Sequence, residues 1–242
     1  MRLRNNILIK KVATIDIGSN AIRLLVSNII RLDGKLYHTK NSLHRVPVRL
    51  GQDSFLNSKI ADSSKNKLIN TIKSFKFLME ANEINEYLAY ATSALRNASN
   101  GQEILDYVFR ETKIKIEIIS GKKESEIVAS NDMTDHIGNS PNYCFVDVGG
   151  DINKIFKLSG NKYGKPLSSS KFKSTIKKLK KTSTKKMLLD LKLNPDRIDV
   201  ILPAGKIYYF LMKTLSIKKI YVPKIGLADG MVKKIINSKI KF

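Results

Sequence analysis

The sequence of 242 residues contains 44 Lys and Arg against 21 Asp and Glu, which gives a formal net charge of +23. A single cysteine cannot form an internal disulfide, so the composition excludes a disulfide-stabilised secreted scaffold. No apolar run approaches the roughly 20 residues of a membrane span, and an apolar fraction of 42% is too high for wholesale disorder. These features predict a folded cytoplasmic protein with one large or two small domains and no membrane partner.

The positive charge is concentrated in the C-terminal part. Residues 151–242 contain 23 basic and 5 acidic residues, a net charge of +18, against +5 for residues 1–150. Such a segment is typical of polyanion binding, but compositional drift towards lysine on a solvated surface explains it equally well. The low Arg count and the lack of aromatic residues near the Lys runs argue against a nucleic-acid partner.

The N-terminal residues predict a β-meander. A strand ends near Asp16, a Gly-Ser-Asn turn follows, and residues 24–26 form a second strand. Residues 31–34 form the next turn and residues 37–39 a third strand. Antiparallel strands joined by short turns are therefore expected at the start of the chain.

Helical spacing of apolar residues alternates with short strand patterns along the rest of the chain. Helices are predicted over 60–78, 104–111, 124–133, 171–193 and 227–236, and over 196–215 as one helix or as two that meet near Pro203. Strands are predicted over 87–91, 114–119, 145–148 and 219–222. The turn sequence NSPN at 139–142 suggests a boundary between domains 1–140 and 141–242. This mixture predicts an α/β fold.

Four segments place residues suited to an anionic substrate just after strands or at helix starts. Two of them follow the predicted strands that end near Asp16 and at residue 91, and the other two follow the strands that end at residues 119 and 148. A carboxylate beside a Gly-Ser turn suits a hydrated cation, while turn amides and hydroxyls suit phosphate oxygens. The candidate residues are Asp16, Gly18, Ser19, Asn20 and Arg23; Ser93 and Arg96; Glu124; and Asp147, Gly149 and Gly150.

The order and spacing of these segments resemble the Ppx/GppA family (exopolyphosphatase and guanosine pentaphosphate phosphohydrolase) of the actin-like ATPase superfamily. The resemblance rests on the stretches ATIDIGSNAIRLLV, VRLGQD, ATSALRNA, EIISGKKESEI and VDVGG, and on two C-terminal stretches, LNPDRIDVI and YVPKIGLADG. It implies two ribonuclease-H-like lobes, with residues 1–140 as the first lobe and residues 141–242 as the second.

The resemblance also implies roles for the candidate residues. Glu124 stands where the family's glutamate activates water for attack on a terminal phosphoryl group. Mg²⁺ held through water by Asp16 and Asp147 would neutralise developing charge. The phosphate-binding residues implied are Gly18, Ser19, Asn20, Arg23, Ser93, Arg96, Gly149 and Gly150. The implied substrate is inorganic polyphosphate or guanosine pentaphosphate.

Two departures from the family pattern qualify this reading. Asp151 follows Gly149 and Gly150 of the predicted second phosphate loop, so a carboxylate is expected where phosphate oxygens should approach. Lys123 is expected to lower the pKa of Glu124, or alternatively to attract polyphosphate. The sequence after residue 151 also resembles a stretch found several dozen residues further on in relatives. An internal deletion would leave a truncated second lobe of one or two strands plus helices. It would also leave exposed sheet edges, which favour a homodimer.

The alternative function is an impaired family remnant that binds polyphosphate or nucleotide without turnover.

Overall fold

The computed structural model of the chain describes residues 7–131, 144, 146 and 151–238. The chain divides into two compact units: unit 1 comprises residues 1–131 and 225–242, and unit 2 comprises residues 132–224. In the described part of the chain, no helix has both the length and the apolar character needed to cross a bilayer.

Unit 1 is built on a five-stranded mixed sheet. The elements in chain order are β1 Leu8–Ile17, β2 Ile22–Leu32, β3 Lys35–Val46, α1 Leu50–Asn57, α2 Asp62–Ala81, β4 Tyr87–Ala91, α3 Ser93–Asn97, α4 Gly101–Thr112, β5 Glu117–Ile118 and α5 Gly121–Ala129. The strand order is β3-β2-β1-β4-β5, with β1, β2 and β3 antiparallel and with β4 and β5 parallel to β1. The predicted meander and the predicted strand over 87–91 are confirmed.

Alternation along β1 directs its side chains to two different cores, because successive residues of a strand point to opposite faces. Ala13, Ile15 and Ile17 pack into the main core formed with α2 and α4. Val12 lies on the opposite face of the sheet. It packs against the helix at the C-terminal end of unit 1, α6 (Leu227–Asn237). The sheet is therefore covered on both faces, as its buried apolar strands require.

The terminal helix belongs to unit 1, whereas the sequence pattern places residues 141–242 in one second lobe. Its apolar stripe packs on the sheet, and the Thr14 hydroxyl donates a hydrogen bond to the Ala228 carbonyl oxygen at 3.1 Å. Gly230 allows close packing on α5, because an added Cβ would lie 2.1 Å from the Ile127 carbonyl oxygen. The Gly-Leu-Ala-Asp-Gly stretch thus fixes this helix to the first unit.

Unit 2 is mainly helical in its described residues. Its elements are α7 Ile152–Leu158, β6 Leu167–Ser168, α8 Ser169–Lys181, α9 Thr184–Leu189, a 3₁₀ turn Pro195–Arg197, α10 Ile201–Thr214 and β7 Lys219–Ile220. The two short strands pair antiparallel, and the helices bury a separate apolar cluster that includes Ile155, Phe172 and Tyr208. Two short strands plus helices are what the sequence predicts for this region, while the truncation of the second lobe stays a prediction.

Several element boundaries differ from those predicted from the sequence, and three of them have a clear physical reason. The strand predicted over 114–119 is reduced to Glu117–Ile118, since only Tyr90 and Ala91 pair with it. The helix predicted over 171–193 is broken at Ser183, whose side chain caps a new helix. The helix predicted over 196–215 becomes a 3₁₀ turn and a helix from Ile201, which tolerates Pro203 in its first turn. The strand predicted over 145–148 falls on residues that lie largely outside the described ranges.

Candidate active site

The candidate site residues of unit 1 follow three parallel strands. Ile17 at the end of β1 is in register with Ala91 at the end of β4, and Ala91 is in register with Ile118 of β5. The carboxyl ends of these strands therefore meet at one edge of the sheet, which is where open α/β sheets bind ligands. Three segments that are distant in sequence share this edge.

Two of these segments are in direct contact through their serines. Ser19 Oγ and Ser93 Oγ lie 2.8 Å apart, although 74 positions separate them in the chain. The Gly18 N–H donates to the Ala21 carbonyl oxygen at 3.2 Å, which closes the first loop into a tight turn. Both hydroxyls are partly exposed. The predicted first and second phosphate-binding segments thus form one hydroxyl-lined site.

Asp16 and Arg23 form an ion pair across the first hairpin. They are register partners on β1 and β2, and Arg23 Nη1 lies 2.7 Å from Asp16 Oδ2. The Asp16 residue is 5% exposed, so the guanidinium compensates a carboxylate that is almost fully buried. Arg23 therefore has a structural role in addition to the phosphate contact that the sequence pattern predicts.

Arg96 links the second segment to the third. Its Nη1 donates to the Ile119 carbonyl oxygen at 2.8 Å and lies 3.7 Å from Glu124 Oε2. The Ile119 N–H donates to the Ala91 carbonyl oxygen at 3.0 Å, which extends the strand pairing up to the start of α5. About a third of each side chain is exposed, so both Arg96 and Glu124 are accessible to solvent and to a ligand.

Glu124 lies in the first turn of α5, and the helix start is fixed by Ser120. The Ser120 hydroxyl accepts a hydrogen bond from the Lys123 N–H at 3.1 Å, which is an ordinary N-cap. The first turn of a helix favours negative charge because of the helix dipole. Glu124 is thus held by local helix geometry on one side and by Arg96 on the other.

Lys123 has an acidic partner of its own at the sheet edge, and its expected effect on Glu124 stays a prediction. Lys123 Nζ lies 2.6 Å from Glu117 Oε1 and 5.1 Å from the centre of the Tyr90 ring. The hydrogen bond to Glu117 raises the pKa of Lys123 above its usual range. Consecutive residues on a helix point in different directions, so the cation next to Glu124 in sequence faces the sheet edge and its partner there.

Gly51 supports the first loop but was not among the residues singled out from the sequence. The Gly51 N–H donates to the Ser19 carbonyl oxygen at 2.8 Å, and the Arg49 N–H donates to the Asn20 carbonyl oxygen at 3.0 Å. A Cβ on Gly51 would lie 2.8 Å from the Ser19 Cβ, so only glycine allows this approach. The signal was present in the VRLGQD stretch, which carried the family resemblance without an assigned role.

Comparison with known proteins agrees with this geometry. The Ppx/GppA phosphatase family matches residues 37–151, a segment that includes Ser93, Arg96 and Glu124. This part of the chain is similar to the Ppx/GppA phosphatase family. Exopolyphosphatase 1 of Mycobacterium tuberculosis is 31% identical over 117 residues, which are 48% of this chain and 33% of that protein. A bifunctional 3-dehydroquinate synthase/phosphatase of Fusobacterium nucleatum is 32% identical over 118 residues, which are 48% of this chain and 18% of that protein.

Solved structures of Ppx/GppA proteins share the fold. A family member from Aquifex aeolicus superposes with a TM-score of 0.71 at 19% identity, over 97% of this chain and 100% of that one. An exopolyphosphatase from Cytophaga hutchinsonii superposes with a TM-score of 0.78 at 17% identity, over 95% of this chain and 98% of that one. The predicted actin-like, ribonuclease-H-like α/β fold class is confirmed. The sequence match nevertheless spans only about a third of the mycobacterial relative.

The predicted second phosphate loop lies only partly within the described residues. Asp147, Gly149 and Gly150 lie outside the described ranges, so their predicted roles stay predictions. Asp151, which follows them, is 4% exposed and accepts a hydrogen bond from Arg197 Nη1 at 2.8 Å. Its carboxylate is therefore buried and compensated within unit 2, and its charge opposes an approaching phosphate less than the sequence suggests.

The residues available for Mg²⁺ can be tested against its chemistry. Mg²⁺ usually keeps several waters and takes one or two carboxylates together with substrate phosphate oxygens. Among the described residues no group of three candidate metal ligands occurs. Asp16 supplies a carboxylate of the right type, but Arg23 already lies 2.7 Å from one of its oxygens. The donor chemistry fits a hydrated ion held by Asp16 through water better than a directly coordinated one.

Proposed function

We propose that this protein is a phosphohydrolase of the exopolyphosphatase or guanosine pentaphosphatase type. The observation that carries the proposal is the convergence of three sequence-distant segments at one sheet edge, joined by the Ser19–Ser93 and Arg96–Glu124 contacts. Hydroxyls, a guanidinium and a carboxylate beside loop amides suit a terminal phosphoryl group and a water that attacks it. Relatives whose names denote exopolyphosphatases support the substrate class.

Glu124 is proposed as the general base. A base must lie within hydrogen-bond reach of the water that it deprotonates, and a partly exposed carboxylate at the phosphate-binding edge meets that requirement. The water oxygen forms a bond to the terminal phosphorus, and the bond from phosphorus to the bridging oxygen breaks. The water proton passes to Glu124, and the shortened chain leaves as the anion. No covalent nucleophile is needed.

The remaining groups bind and orient the phosphoryl oxygens. Ser19 and Ser93 present two hydroxyls 2.8 Å apart, and Arg96 offers a guanidinium between the loop and Glu124. Gly18 and Asn20 shape the first loop, while Gly149, Gly150 and Asp147 are proposed to complete the site from the second loop. Bound Mg²⁺, held through water by Asp16 and Asp147, would neutralise negative charge on the phosphates.

Phosphate release by matched glutamate variants tests this proposal. Glu124→Gln should lower release from polyphosphate or guanosine pentaphosphate by about 10²- to 10⁴-fold, since a positioned general base contributes that much. Glu126→Gln, an exposed residue on the same helix, removes the same charge and should leave release unchanged. If the wild-type chain releases no phosphate from either substrate, the enzyme proposal is wrong.

Binding without turnover is the second candidate function. The observation that favours it is Asp151 immediately after Gly149 and Gly150, where the family pattern continues with another glycine. If this function holds, Arg96→Ala should weaken retention of polyphosphate, while Glu124→Gln should not. Arg23→Ala is a poorer probe, because it also breaks the ion pair with the buried Asp16 carboxylate and so perturbs the structure of the loop. Equal retention by all variants would indicate diffuse charge attraction.

A cytoplasmic location and a homodimer are further proposals. Cytoplasmic placement is supported by the single cysteine, which suits a reducing compartment. Self-association is supported by β3, a long and mostly exposed strand at one edge of the five-stranded sheet. Light scattering of the purified chain would distinguish a dimer from a monomer.

A further inference from the structure

Unit 2 is strongly basic in its described residues. Residues 151–224 contain 19 basic and 4 acidic residues, a net charge of +15. Two of the four acidic residues are buried: Asp151, which pairs with Arg197, and Asp196. The surface of the unit therefore presents cations with little local compensation, which attracts polyanions in general.

Helix α8 carries one row of this charge. Lys173, Lys177 and Lys180 are spaced i, i+4 and i+7, so they share one face of the helix. All three are exposed, while Phe172 and Leu179 on another face enter the core of unit 2. None of the three ammonium groups forms a salt bridge with a residue in the described ranges.

Helix α10 carries a second row with the same spacing but a different composition. Lys206, Phe210 and Lys213 are also spaced i, i+4 and i+7, and all three are exposed. The Phe210 residue is 65% exposed, so its ring is open to solvent between two lysines on the same face. An exposed aromatic ring flanked by cations is the combination found in single-stranded nucleic-acid sites.

The two rows lie on neighbouring helices. Gly205 of α10 lies against α8, since an added Cβ would be 2.3 Å from Ile176 Cδ1. One turn further on, the Tyr209 ring lies 5.9 Å from Lys173 Nζ. The fold thus brings the Tyr209 ring next to Lys173, which is 36 positions earlier in the sequence. Because this contact joins distant residues, the sequence pattern alone showed no aromatic residue near the Lys runs.

We propose that this basic aromatic face, formed by Lys173, Lys177 and Lys180 of α8 with Lys206, Tyr209, Phe210 and Lys213 of α10, binds single-stranded nucleic acid. The lysines contact phosphates, and Phe210 stacks on a base. Inorganic polyphosphate satisfies the lysines equally well but has no base to stack on the ring, so the exposed aromatic favours a nucleic acid. The binding is expected to tolerate different sequences, since every base has a face that can stack.

Fluorescence anisotropy with the full chain and a labelled oligo(U) of about 20 nucleotides tests the proposal. Phe210→Ala should weaken binding at least about five-fold, because stacking on one aromatic side chain contributes that much. Phe77→Ala is the matched control, since Phe77 is 68% exposed on a helix of unit 1. Competition by unlabelled polyphosphate should be unaffected by Phe210→Ala.

Salt titration tests the lysines. Lys173→Gln, Lys177→Gln and Lys180→Gln together should reduce the slope of log affinity against log salt by about 2, as expected for three phosphate contacts to a single strand. Lys59→Gln, Lys67→Gln and Lys115→Gln remove the same charge from exposed positions of unit 1 and should leave the slope nearly unchanged.

An oligonucleotide of equal length without bases provides a test on the wild-type chain itself. It should bind at least about five-fold more weakly than oligo(U), because it keeps the phosphates and loses the stacking. Equal binding of both oligonucleotides, or full affinity in Phe210→Ala, would show a surface that responds to charge alone and would overturn the proposal. Absence of oligo(U) binding at low salt would overturn it as well. None of these results depends on phosphate release at Glu124.

Discussion

Arg197 donates a hydrogen bond from Nη1 to Asp151 Oδ1 at 2.8 Å, joining two residues 46 positions apart within unit 2. Asp151 immediately precedes α7, and Arg197 ends the 3₁₀ turn that leads towards α10. The side chains are 5% and 16% exposed, so neither charge is well solvated. The Ppx/GppA-like stretch LNPDRIDVI, in which Arg197 lies, thus supplies the partner for a carboxylate that replaces the usual residue of the second loop.

Breaking this pair should destabilise unit 2. Asp151→Asn removes the carboxylate charge at nearly constant volume and loses the charge-assisted hydrogen bond from Arg197, which should lower the free energy of unfolding by about 1.5–3 kcal/mol. Urea denaturation followed by circular dichroism measures the change. Asp190→Asn, at an exposed position of the same unit, should change stability by no more than about 0.5 kcal/mol. Equal stability of both variants would contradict a stabilising role for the pair.

Local sequence signals sufficed for the sheet and for the residues that meet at its edge. The Gly18 turn, the strand Tyr87–Ala91 and the Ser120 cap are each determined within a few residues. The parallel pairing that brings their carboxyl ends together is seen only in the structure, whereas the sequence grouped Ser19, Ser93 and Glu124 through the resemblance to the Ppx/GppA family.

The relationships that the sequence did not predict depend on how elements pack. Lys123 pairs with Glu117, six positions earlier in the chain, because α5 packs beside the end of β5. Gly51 matters because α1 approaches the Ser19 backbone, and the terminal helix joins unit 1 because its apolar stripe fits the second face of the sheet. Such contacts combine residues far apart in the chain, and no local pattern specifies them.

Gly51→Ala should impair phosphate release more than stability. The added Cβ would lie 2.8 Å from the Ser19 Cβ and 3.2 Å from the Ser19 carbonyl oxygen, so the first loop must shift. Because misplacing a binding group by about 1 Å can cost 10²-fold in rate, release from polyphosphate should fall at least about ten-fold. Gln52→Ala, at the next and exposed position of α1, serves as the control. Unchanged release by Gly51→Ala would show that the loop position is not critical.

Arg96→Lys should lower kcat at least about ten-fold with a smaller change in KM. The guanidinium binds the Ile119 carbonyl oxygen and lies 3.7 Å from Glu124, whereas a lysine ammonium lacks the planar fork needed to keep that geometry. Steady-state phosphate release at several polyphosphate concentrations separates kcat from KM. Arg110→Lys, at an exposed position of α4, should leave both parameters unchanged. If Arg96→Lys changes KM alone, Arg96 binds substrate without positioning Glu124.

Lys154 should make the stability of unit 2 increase with pH. Burial lowers the pKa of Lys154 below its ordinary value of 10.5, and the charges of Lys157 and Arg197 lower it further. Its ammonium donates to the Leu191 and Lys192 carbonyl oxygens at 3.3 and 3.2 Å, after the end of α9. As pH rises towards 10.5, the folded chain releases this proton before the unfolded chain does. The unfolded state then binds more protons, so stability rises with pH in that window.

Lys154→Met removes this contribution and provides the measurement. The stability of the wild-type chain relative to Lys154→Met should be constant near neutral pH, where Lys154 is protonated in both states, and should increase as pH approaches 10.5. Urea denaturation at intervals between neutral pH and pH 10.5 follows the difference. The same series with Lys185→Met gives the background from loss of an exposed lysine in unit 2. A difference that stays flat, or that falls with rising pH, would contradict the lowered pKa, because a lysine stabilised in its charged form would give the opposite slope.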